Sequence, residues 1–453
     1  MLQMSDWMVY RNRGGPDTRY SSRSQSIDET RPPVHQWTHL RSSRSRPKST
    51  DSSHHVSSLS ASMDIARGNA ASVSNSSTSS VNNTDKDDAV NPLVLRHGRR
   101  YLRDLSYPLP CDLPELHRQN LHTLLATEVF GKALCSPFVK KRPPKNVLEI
   151  GCGTGFWSSL CHDYLTDLGV LNVSFTGLDI VRLAPDLEKQ GINWKFVQHD
   201  IRRLPLPFDD EEFDLVLLKD LSLVVHSGAA TERLLDDAIR VLRHDGVVEI
   251  WETDHIIRSL QPYPPTAASL IKRPEEQARA LETGTFIVSP ATPFSKAQNK
   301  YLGDFNTWIQ EACDRRKLSP VPCANVQPML IQETDSLCDI GFRRVAIPFG
   351  EMKWERHDPK RRRAAAAEKG KGKSLAEPDD SVLSEEQASL RTTALLVVVQ
   401  LIESLEPVLK EVSSKNQEEW QRWWAWMMAD LFEQGGAEMG DCLELGAYWA
   451  RKI

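Results

Sequence analysis

The sequence predicts an α/β fold: a doubly wound, seven-stranded and mostly parallel sheet with helices on both faces. Two observations support this fold class. Short apolar runs recur from residue 146 onward, and helical patterns such as "FWSSLCHDYLTDLG" and "TERLLDDAIRVLRHDG" stand between them. Strands that alternate with helices run parallel, because the chain must cross back over the sheet before each new strand. The first five candidate strands are Asn146–Ile150, Val173–Leu178, Trp194–Gln198, Phe213–Leu218 and Val247–Glu252.

The chain after the fifth strand predicts further helices and two more strands. Helical patterns cover Lys300–Asp314 and Val326–Ile340, and a strand follows at "FRRVAIPF". Beyond a basic loop, a helix is predicted over Glu385–Glu411 and a Trp-rich helix over Gln417–Glu433. The chain ends in an apolar run, "CLELGAYWARKI", that predicts the last strand. The last two strands should form an antiparallel pair at one edge of the sheet.

Composition sets the expected boundaries between parts of the chain. Residues 1–92 are rich in Ser, Arg and Asn and predict disorder, because they offer too little apolar surface to offset the entropy of ordering. Residues 93–140 predict a helical cap segment, in which Asp112 and Glu115 have the spacing of a capping box. The remaining parts are a core with its covering helices, a disordered basic loop, and C-terminal helices with the last strand: residues 141–350, 351–384 and 385–453.

Charge and cysteine usage limit the compartment and the partners. The net charge of −5 gives no bulk attraction to nucleic acid or membrane, and neither basic run is interleaved with aromatic residues. The 8 cysteines lack metal-binding spacing, so we expect free thiols and no metal site. The N-terminus lacks the apolar core of a signal peptide, and the apolar run from Thr393 is shorter than the about twenty residues of a membrane span. We expect a soluble protein of the cytoplasm, the nucleus or both.

The stretch "NVLEIGCGTGFWSSL", residues 146–160, predicts a cofactor site. Gly151, Gly153 and Gly155 follow the first strand with G-x-G-x-G spacing, where side chains would collide with a ligand. A dinucleotide site has G-x-G-x-x-G instead, and a nucleoside triphosphate site needs Gly-Lys-Ser/Thr. Glu149 would repel a pyrophosphate but suits S-adenosylmethionine, which carries an ammonium and a sulfonium. The sequence therefore favours S-adenosylmethionine as the ligand.

Acids at the next two strand ends support this ligand. Asp179 ends the second strand and is placed to accept the ribose hydroxyls, although a helix cap is the alternative role. Asp200 follows the third strand and is placed to accept the adenine amino group, while Ile201 offers a backbone N–H to the ring. The predicted cofactor-binding residues are Glu149, Gly151, Cys152, Gly153, Gly155, Asp179, Ile180, Asp200, Ile201 and Lys219.

With these residues, the segment Asn146–Thr253 resembles a class I S-adenosylmethionine-dependent methyltransferase, whose sheet is Rossmann-like. "VLEIGCGTG" resembles its first motif, Asp179 its second, and "HDIRRLPLPFDDEEFDLV" its third motif with the fourth strand. The flanks "HGRRYLRDLSYPLPCDLPELHRQNLH" and "AYWARKI" are similar to the fungal methyltransferases that include regulators of secondary metabolism. The resemblance implies in-line transfer of a methyl group to an unidentified small-molecule or protein acceptor.

The acceptor is expected beyond the fourth and fifth strands. Lys219, Asp220 and His226 follow the fourth strand, and Asp254 and His255 follow the fifth. We predict catalytic roles for His255, Asp220 and Lys219, with His255 as the base. The alternative role for a histidine in a loop is simply polar surface.

Three function classes stay open. An active methyltransferase is favoured; a regulatory scaffold that keeps the fold, binds partner proteins and has little or no catalysis is the main alternative. A nicotinamide-dependent oxidoreductase is disfavoured because it needs the wider glycine spacing. Partner proteins are expected at the N-terminal tail or the Trp-rich helix. On that helix Trp420, Trp423, Trp424 and Met427 share one face, for which core packing is the favoured role and a lid over the acceptor pocket or a partner-binding face is the alternative. "PKRRR", from Pro359, is either a nuclear import signal or a solvated loop.

Overall fold

The computed structural model describes residues 92–96, 98–103, 107–264, 273–357 and 381–453. The strands in these ranges are β1 (Leu93–Arg96), β2 (Arg99–Leu102), β3 (Asn146–Ile150), β4 (Ser174–Asp179), β5 (Asn193–Gln198), β6 (Phe213–Lys219), β7 (Leu242–Thr253), β8 (Arg258–Leu260), β9 (Phe286–Ile287), β10 (Phe294–Lys296), β11 (Leu337–Pro348) and β12 (Asp441–Lys452). The α-helices are α1 (Leu113–Phe130), α2 (Phe156–Asp167), α3 (Ala229–Val241), α4 (Pro274–Glu282), α5 (Lys300–Arg316), α6 (Val326–Gln332), α7 (Lys353–His357), α8 (Glu385–Ser404), α9 (Glu406–Ser413) and α10 (Gln417–Glu433). The predicted N-terminal disorder and the "PKRRR" sequence lie outside the described residues.

The main sheet confirms the predicted fold class. Seven strands form its body in the order β5-β4-β3-β6-β7-β12-β11. The first five of these pair in parallel, and β12 lies antiparallel between β7 and β11. Three short strands bring the sheet to ten strands within the described residues: β8 pairs with β12, β10 pairs with β8, and β9 pairs with β11. The last two long strands are therefore the antiparallel pair that the sequence predicted.

Helices cover both faces of the sheet because its central strands are apolar on both sides. Along β6, Leu215 and Leu217 belong to one hydrophobic core, whereas Val216 and Leu218 belong to the core on the opposite face. Such continuous apolar runs are typical of parallel strands that are buried on both faces. The carboxyl ends of β3 to β7 are thereby held at one edge, where ligands bind in open parallel sheets.

Two helix predictions need correction. The helix expected over Val326–Ile340 ends at Gln332, because the backbone from Leu337 onward pairs with β12 instead. The helix expected over Glu385–Glu411 is broken into α8 and α9, whose axes are bent by 67°. Pro407 lies in the first turn of α9, where its ring is tolerated but a continuous helix through it is not. No single helix in the described ranges is long and apolar enough to cross a membrane, although α8 and α9 reach that length and composition as a bent pair.

Part of the segment 351–384, which was expected to be a disordered loop, forms regular structure. Residues 353–357 form α7, and the side chain of Glu355 is fully buried. Its carboxylate accepts hydrogen bonds from Arg391 of α8 at 2.7 and 2.9 Å, and Arg391 is also fully buried. The sequence alone gives no sign that these two charged residues are buried. Their pairing holds α7 against α8. The capping box of Ser384 begins α8 at the other end, and the basic run between lies outside the described residues.

The N-terminal segment, residues 93–140, is only partly the helical cap that was predicted. It begins with an antiparallel β1–β2 hairpin, and α1 follows with Asp112 as its N-cap. Arg99 of β2 donates to both carboxylate oxygens of Asp112 at 2.7 and 2.8 Å and reaches Ser404 Oγ of α8 at 3.4 Å. The hairpin is therefore attached to both helices that cover this edge of the sheet.

Candidate active site

A cavity opens at the carboxyl ends of β3, β4, β5, β6 and β7. Every one of these strands or the loop that follows it contributes lining residues, and α1, α5 and α8 close the cavity from the other side. Of the ten predicted cofactor-binding residues, nine line it: Glu149, Gly151, Cys152, Gly153, Asp179, Ile180, Asp200, Ile201 and Lys219. The sequence prediction of a site at these strand ends therefore corresponds to one continuous space.

The glycine turn requires glycine for conformational reasons. Gly151 and Gly153 have φ angles of +72° and +50°, in the left-handed region that other residues avoid. A Cβ atom on Gly151 would also lie 2.7 Å from Cδ2 of Leu221. Gly155 does not line the cavity; it is the N-cap of α2 with φ of +66°, and a Cβ there would approach Leu187 at 3.0 Å. Its role is to begin the helix.

Glu149 is a buried carboxylate at the end of β3. Its Oε2 accepts a hydrogen bond of 2.6 Å from the hydroxyl of Ser158 on α2. Burial raises the pKa of Glu149 to about 7, although Ser158 and the nearby Lys219 lower it in part. A cation bound beside this carboxylate would stabilise its ionised form, which burial disfavours. The site therefore favours a positively charged group.

Asp179 connects the end of β4 to the glycine turn. Its carboxylate accepts hydrogen bonds from the backbone N–H of Gly153 at 2.8 Å and of Ile180 at 2.7 Å. Burial raises the pKa of Asp179, and these backbone donors partly oppose that shift. A carboxylate has about four lone-pair positions, so two backbone bonds leave room for further donors such as a pair of hydroxyls.

Asp200 is more fully engaged than the sequence suggested. The Arg202 guanidinium donates to its two oxygens at 2.9 and 3.0 Å, and the Arg202 backbone N–H donates at 3.1 Å. Burial alone would raise the pKa of Asp200, but the arginine holds it below its usual value. An adenine amino group would have to share this carboxylate with Arg202. Ile201 lies beside it, buried, in the cavity wall.

Asp220, one of the predicted catalytic residues, is held by three side chains. Lys219 Nζ and His122 Nδ1 both bond its Oδ2, the latter at 3.1 Å, and the Thr253 hydroxyl donates to Oδ1 at 3.1 Å. Burial would raise the pKa of Asp220, but Lys219 and His122 hold it well below its ordinary value. Both of its carboxylate oxygens are thus already engaged by neighbouring side chains. The contacts suit Asp220 to orienting its neighbours.

His255, the predicted base, lies after β7 and lines the cavity with only 8% of its surface exposed. Its Nε2 lies 3.1 Å from the hydroxyl of Ser222, whereas Nδ1 makes no hydrogen bond to any described residue. Burial lowers the pKa of His255 to about 4, against a smaller opposing effect from Asp220. The imidazole is therefore neutral at pH 7. The other candidate histidine, His226, is exposed and lies outside the cavity lining.

The sequence analysis missed the contribution of α1. Arg118, Gln119 and His122 line the cavity, and Glu115 accepts both guanidinium bonds from Arg118 at 2.9 and 2.6 Å. The spacing of these four polar residues places them on one helical face, and that spacing was a usable signal. Apolar residues of α1 do not all face the core: Leu124 is 47% exposed.

The Trp-rich helix α10 packs in the core. Trp420, Trp423 and Met427 are each at most 5% exposed, and Trp423 Nε1 donates to Asp304 of α5 at 2.9 Å. Core packing therefore accounts for this face, which is the role that the sequence favoured. Trp426, on another face, is 61% exposed.

The parallel sheet, the glycine turn and the acids at successive strand ends together define a Rossmann-like domain of the S-adenosylmethionine-binding type. The comparison with known proteins agrees: residues 147–246 match the family model described as a methyltransferase domain. This segment is thus a methyltransferase domain, and the resemblance predicted from the sequence is confirmed for it.

The curated relatives match the same part of the chain. The secondary metabolism regulator LAE1 of Cochliobolus heterostrophus is 31% identical over 137 residues, which cover 29% of this chain and 42% of the relative. The phthiotriol/phenolphthiotriol dimycocerosates methyltransferase of Mycobacterium tuberculosis is 38% identical over 126 residues, which cover 24% of this chain and 42% of the relative. The chain thus spans less than half the length of these relatives. Among solved structures, the phosphoethanolamine N-methyltransferase 2 of Haemonchus contortus with bound S-adenosyl-L-methionine matches with a TM-score of 0.31 and 13% identity, covering 74% of this chain and 57% of that one.

Proposed function

We propose that this protein binds S-adenosylmethionine in the cavity at the edge of the sheet and transfers its methyl group to an acceptor held in the same cavity. The observation that carries the proposal is the convergence of the glycine turn with Glu149 and Asp179 on one space. The match of residues 147–246 to a methyltransferase domain supports it independently.

The residues present fit this cofactor. Glu149 is buried and has no arginine or lysine bonded to it among the described residues, which suits an ammonium group. Asp179 keeps free lone pairs for the ribose hydroxyls after its two backbone bonds. Bound S-adenosylmethionine would supply an activated methyl group on a positively charged sulfur. The contribution of the protein is then to hold the two reactants in line and to accept a proton where the acceptor has one to lose.

The test is calorimetric titration of the full chain with S-adenosylmethionine. Asp179→Ala should weaken binding sharply, because it removes the acceptor of the ribose and the bond to Gly153. Asp167→Ala is the matched control, since Asp167 is exposed at the end of α2 and lies outside the cavity lining. Equal affinity of the two variants, or no binding by the folded wild type, would contradict the proposal.

The regulatory alternative has one observation in its favour, the name of the relative LAE1. A scaffold without catalysis would leave the acceptor side of the cavity filled by its own side chains, whereas here the cavity continues past β6 and β7. We therefore place methyl transfer first. We further propose a cytoplasmic or nuclear location; a fluorescent fusion with Lys360 and Arg361 to Arg363 replaced by alanine would test the nuclear part, which rests on the sequence alone.

A further inference from the structure

The cavity continues beyond the cofactor-binding turn into a chamber with apolar walls. We call it the inner chamber and define it by His255 and the apolar lining residues around it. Those apolar residues come from the loop after β7, from α5, α8 and β12, and each is at most 7% exposed: Ile257, Phe305, Val397, Val398, Leu401 and Leu443. An acceptor in this chamber would be enclosed by side chains and not bound on a surface.

Two charged residues that line the cavity beside the inner chamber, Arg118 and Asp254, already have partners within the described structure. Arg118 is held by Glu115. Asp254 accepts from Arg344 at 3.1 Å and from the backbone N–H of Cys323 at 2.9 Å. An acceptor that carries a full charge would lose its hydration here without gaining a free counter-charge, which is costly in a buried site. The chamber therefore favours a neutral molecule.

His255 supplies a polar atom without a partner in this chamber. Its Nδ1 is buried and makes no hydrogen bond to a described residue, while Nε2 meets the Ser222 hydroxyl at 3.1 Å. Burial raises the pKa of the neighbouring Glu252 to about 8, although the Ser222 hydroxyl opposes that shift in part, so this carboxyl is mostly uncharged at pH 7. In the tautomer whose Nε2–H donates to the Ser222 hydroxyl, Nδ1 is the acceptor nitrogen of His255.

We propose that the methyl acceptor is a largely apolar small molecule with an acidic hydroxyl group, a phenol or an enol, whose hydroxyl donates to Nδ1 of His255. The acceptor oxygen forms its new bond to the methyl carbon while the carbon–sulfur bond of S-adenosylmethionine breaks and its electron pair returns to sulfur. The hydroxyl proton passes to His255 Nδ1. The products are a methyl ether, neutral S-adenosylhomocysteine and a proton on the imidazole.

Other acceptors fit the inner chamber less well. A protonated amine or a carboxylate would need the free counter-charge that the lining does not offer. A protein side chain would have to enter a space whose apolar walls are more than nine-tenths buried. A neutral hydroxyl on an apolar frame loses least on entry and satisfies the unpartnered Nδ1, which otherwise costs stability. The low pKa of His255 keeps Nδ1 available at neutral pH.

The test measures binding without turnover. The full chain is saturated with S-adenosylhomocysteine and titrated with 1-naphthol and with 1-methoxynaphthalene, in which a methyl group replaces the hydroxyl hydrogen. The wild type should bind 1-naphthol about tenfold more tightly than the ether, the effect of one hydrogen bond to an otherwise unpartnered buried atom. His255→Leu should lose that preference, and His226→Leu, at the exposed histidine outside the cavity, should keep it.

The two titrations test the proposed function and the acceptor class separately. This inference rests on the proposed function, so the titration with S-adenosylhomocysteine is done first; failure of the wild type at that step refutes the proposed function. Cofactor binding without binding of either naphthalene, or with equal binding of both, refutes the acceptor class alone. Cofactor binding also shows that each variant is folded.

A second variant separates binding from proton transfer. His255→Gln keeps a polar side chain in the inner chamber but cannot act as a base at neutral pH. It should still bind 1-naphthol in preference to the ether, while transfer of the methyl group from S-adenosylmethionine to 1-naphthol falls by about 10²–10⁴-fold. Full activity in His255→Gln would refute the role of His255 as the base.

Discussion

The protonation state of Glu149 should make the affinity for S-adenosylmethionine depend on pH. The pKa of this carboxyl is about 7 in the free protein, above its ordinary value of 4.5, because the group is buried. An ammonium group bound beside it stabilises the ionised form, so binding must release the proton from the fraction of molecules that carry it. Affinity should therefore rise as the pH rises through 7.

The size of the effect follows from the pKa. At pH 6 about nine-tenths of the free molecules carry the proton, and at pH 8 about one-tenth, so the dissociation constant should fall about tenfold between these values. About half a proton should be released per cofactor bound at pH 7, which calorimetry in two buffers of different ionisation enthalpy measures directly.

Two controls isolate Glu149 from other titrating groups. Glu149→Gln should bind about 10- to 100-fold more weakly at pH 8, the loss of a charge-assisted bond, and should no longer show this pH dependence. The amino group of the ligand has its own pKa of about 8. Any pH dependence that remains in Glu149→Gln therefore comes from the ligand. Methylthioadenosine, which lacks the ammonium, should bind the wild type without the Glu149 effect. The same pH dependence in wild type and variant would refute this account.

Two further predictions concern folding around the site. Gly151→Ala puts a methyl group 2.7 Å from Leu221 at φ of +72°, and should cost about 1–3 kcal/mol of stability beyond the loss in Gly169→Ala. Gly169 has a similar φ of +79° but open space around it, so equal losses in thermal unfolding would mean that the clash is relieved. Glu355→Gln leaves Arg391 buried without its counter-charge and should cost about 3–5 kcal/mol in denaturant unfolding; a loss below about 1 kcal/mol would show that the arginine reaches water.

Local sequence signals were enough to predict the parallel part of the sheet. β3 begins and ends at the predicted residues Asn146 and Ile150, since an apolar run followed directly by glycines leaves little choice of boundary. α6 is different: its helical pattern continues to Ile340, but backbone pairing with β12 takes over from Leu337. The competing strand lies more than a hundred residues later, and a local pattern carries no information about it.

The sequence also gives no local sign of which acidic residues are buried and hold distant segments together. Glu249 in β7 is fully buried, and its two oxygens accept from the backbone N–H groups of Cys135 and Ser136 at 2.6 and 3.0 Å. Nothing in the sequence near Glu249 marks it as a structural tie to a segment 113 residues earlier. The acids that were recognised, Glu149 and Asp179, stand next to the motif that uses them.

The two halves of the cavity therefore differ in how the chain encodes them. The predicted cofactor-binding residues come from one strand, one turn and the ends of the next three strands, all within residues 146–219. The inner chamber combines His255 with Phe305, Val397 and Leu443, which come from α5, α8 and β12 after long intervals of chain. A match limited to residues 147–246 can thus support the cofactor, while the acceptor has to be inferred from the packed structure. Substitutions at Val397 should accordingly change the choice of acceptor without changing cofactor affinity, since that side chain lies outside the segment that the methyltransferases share.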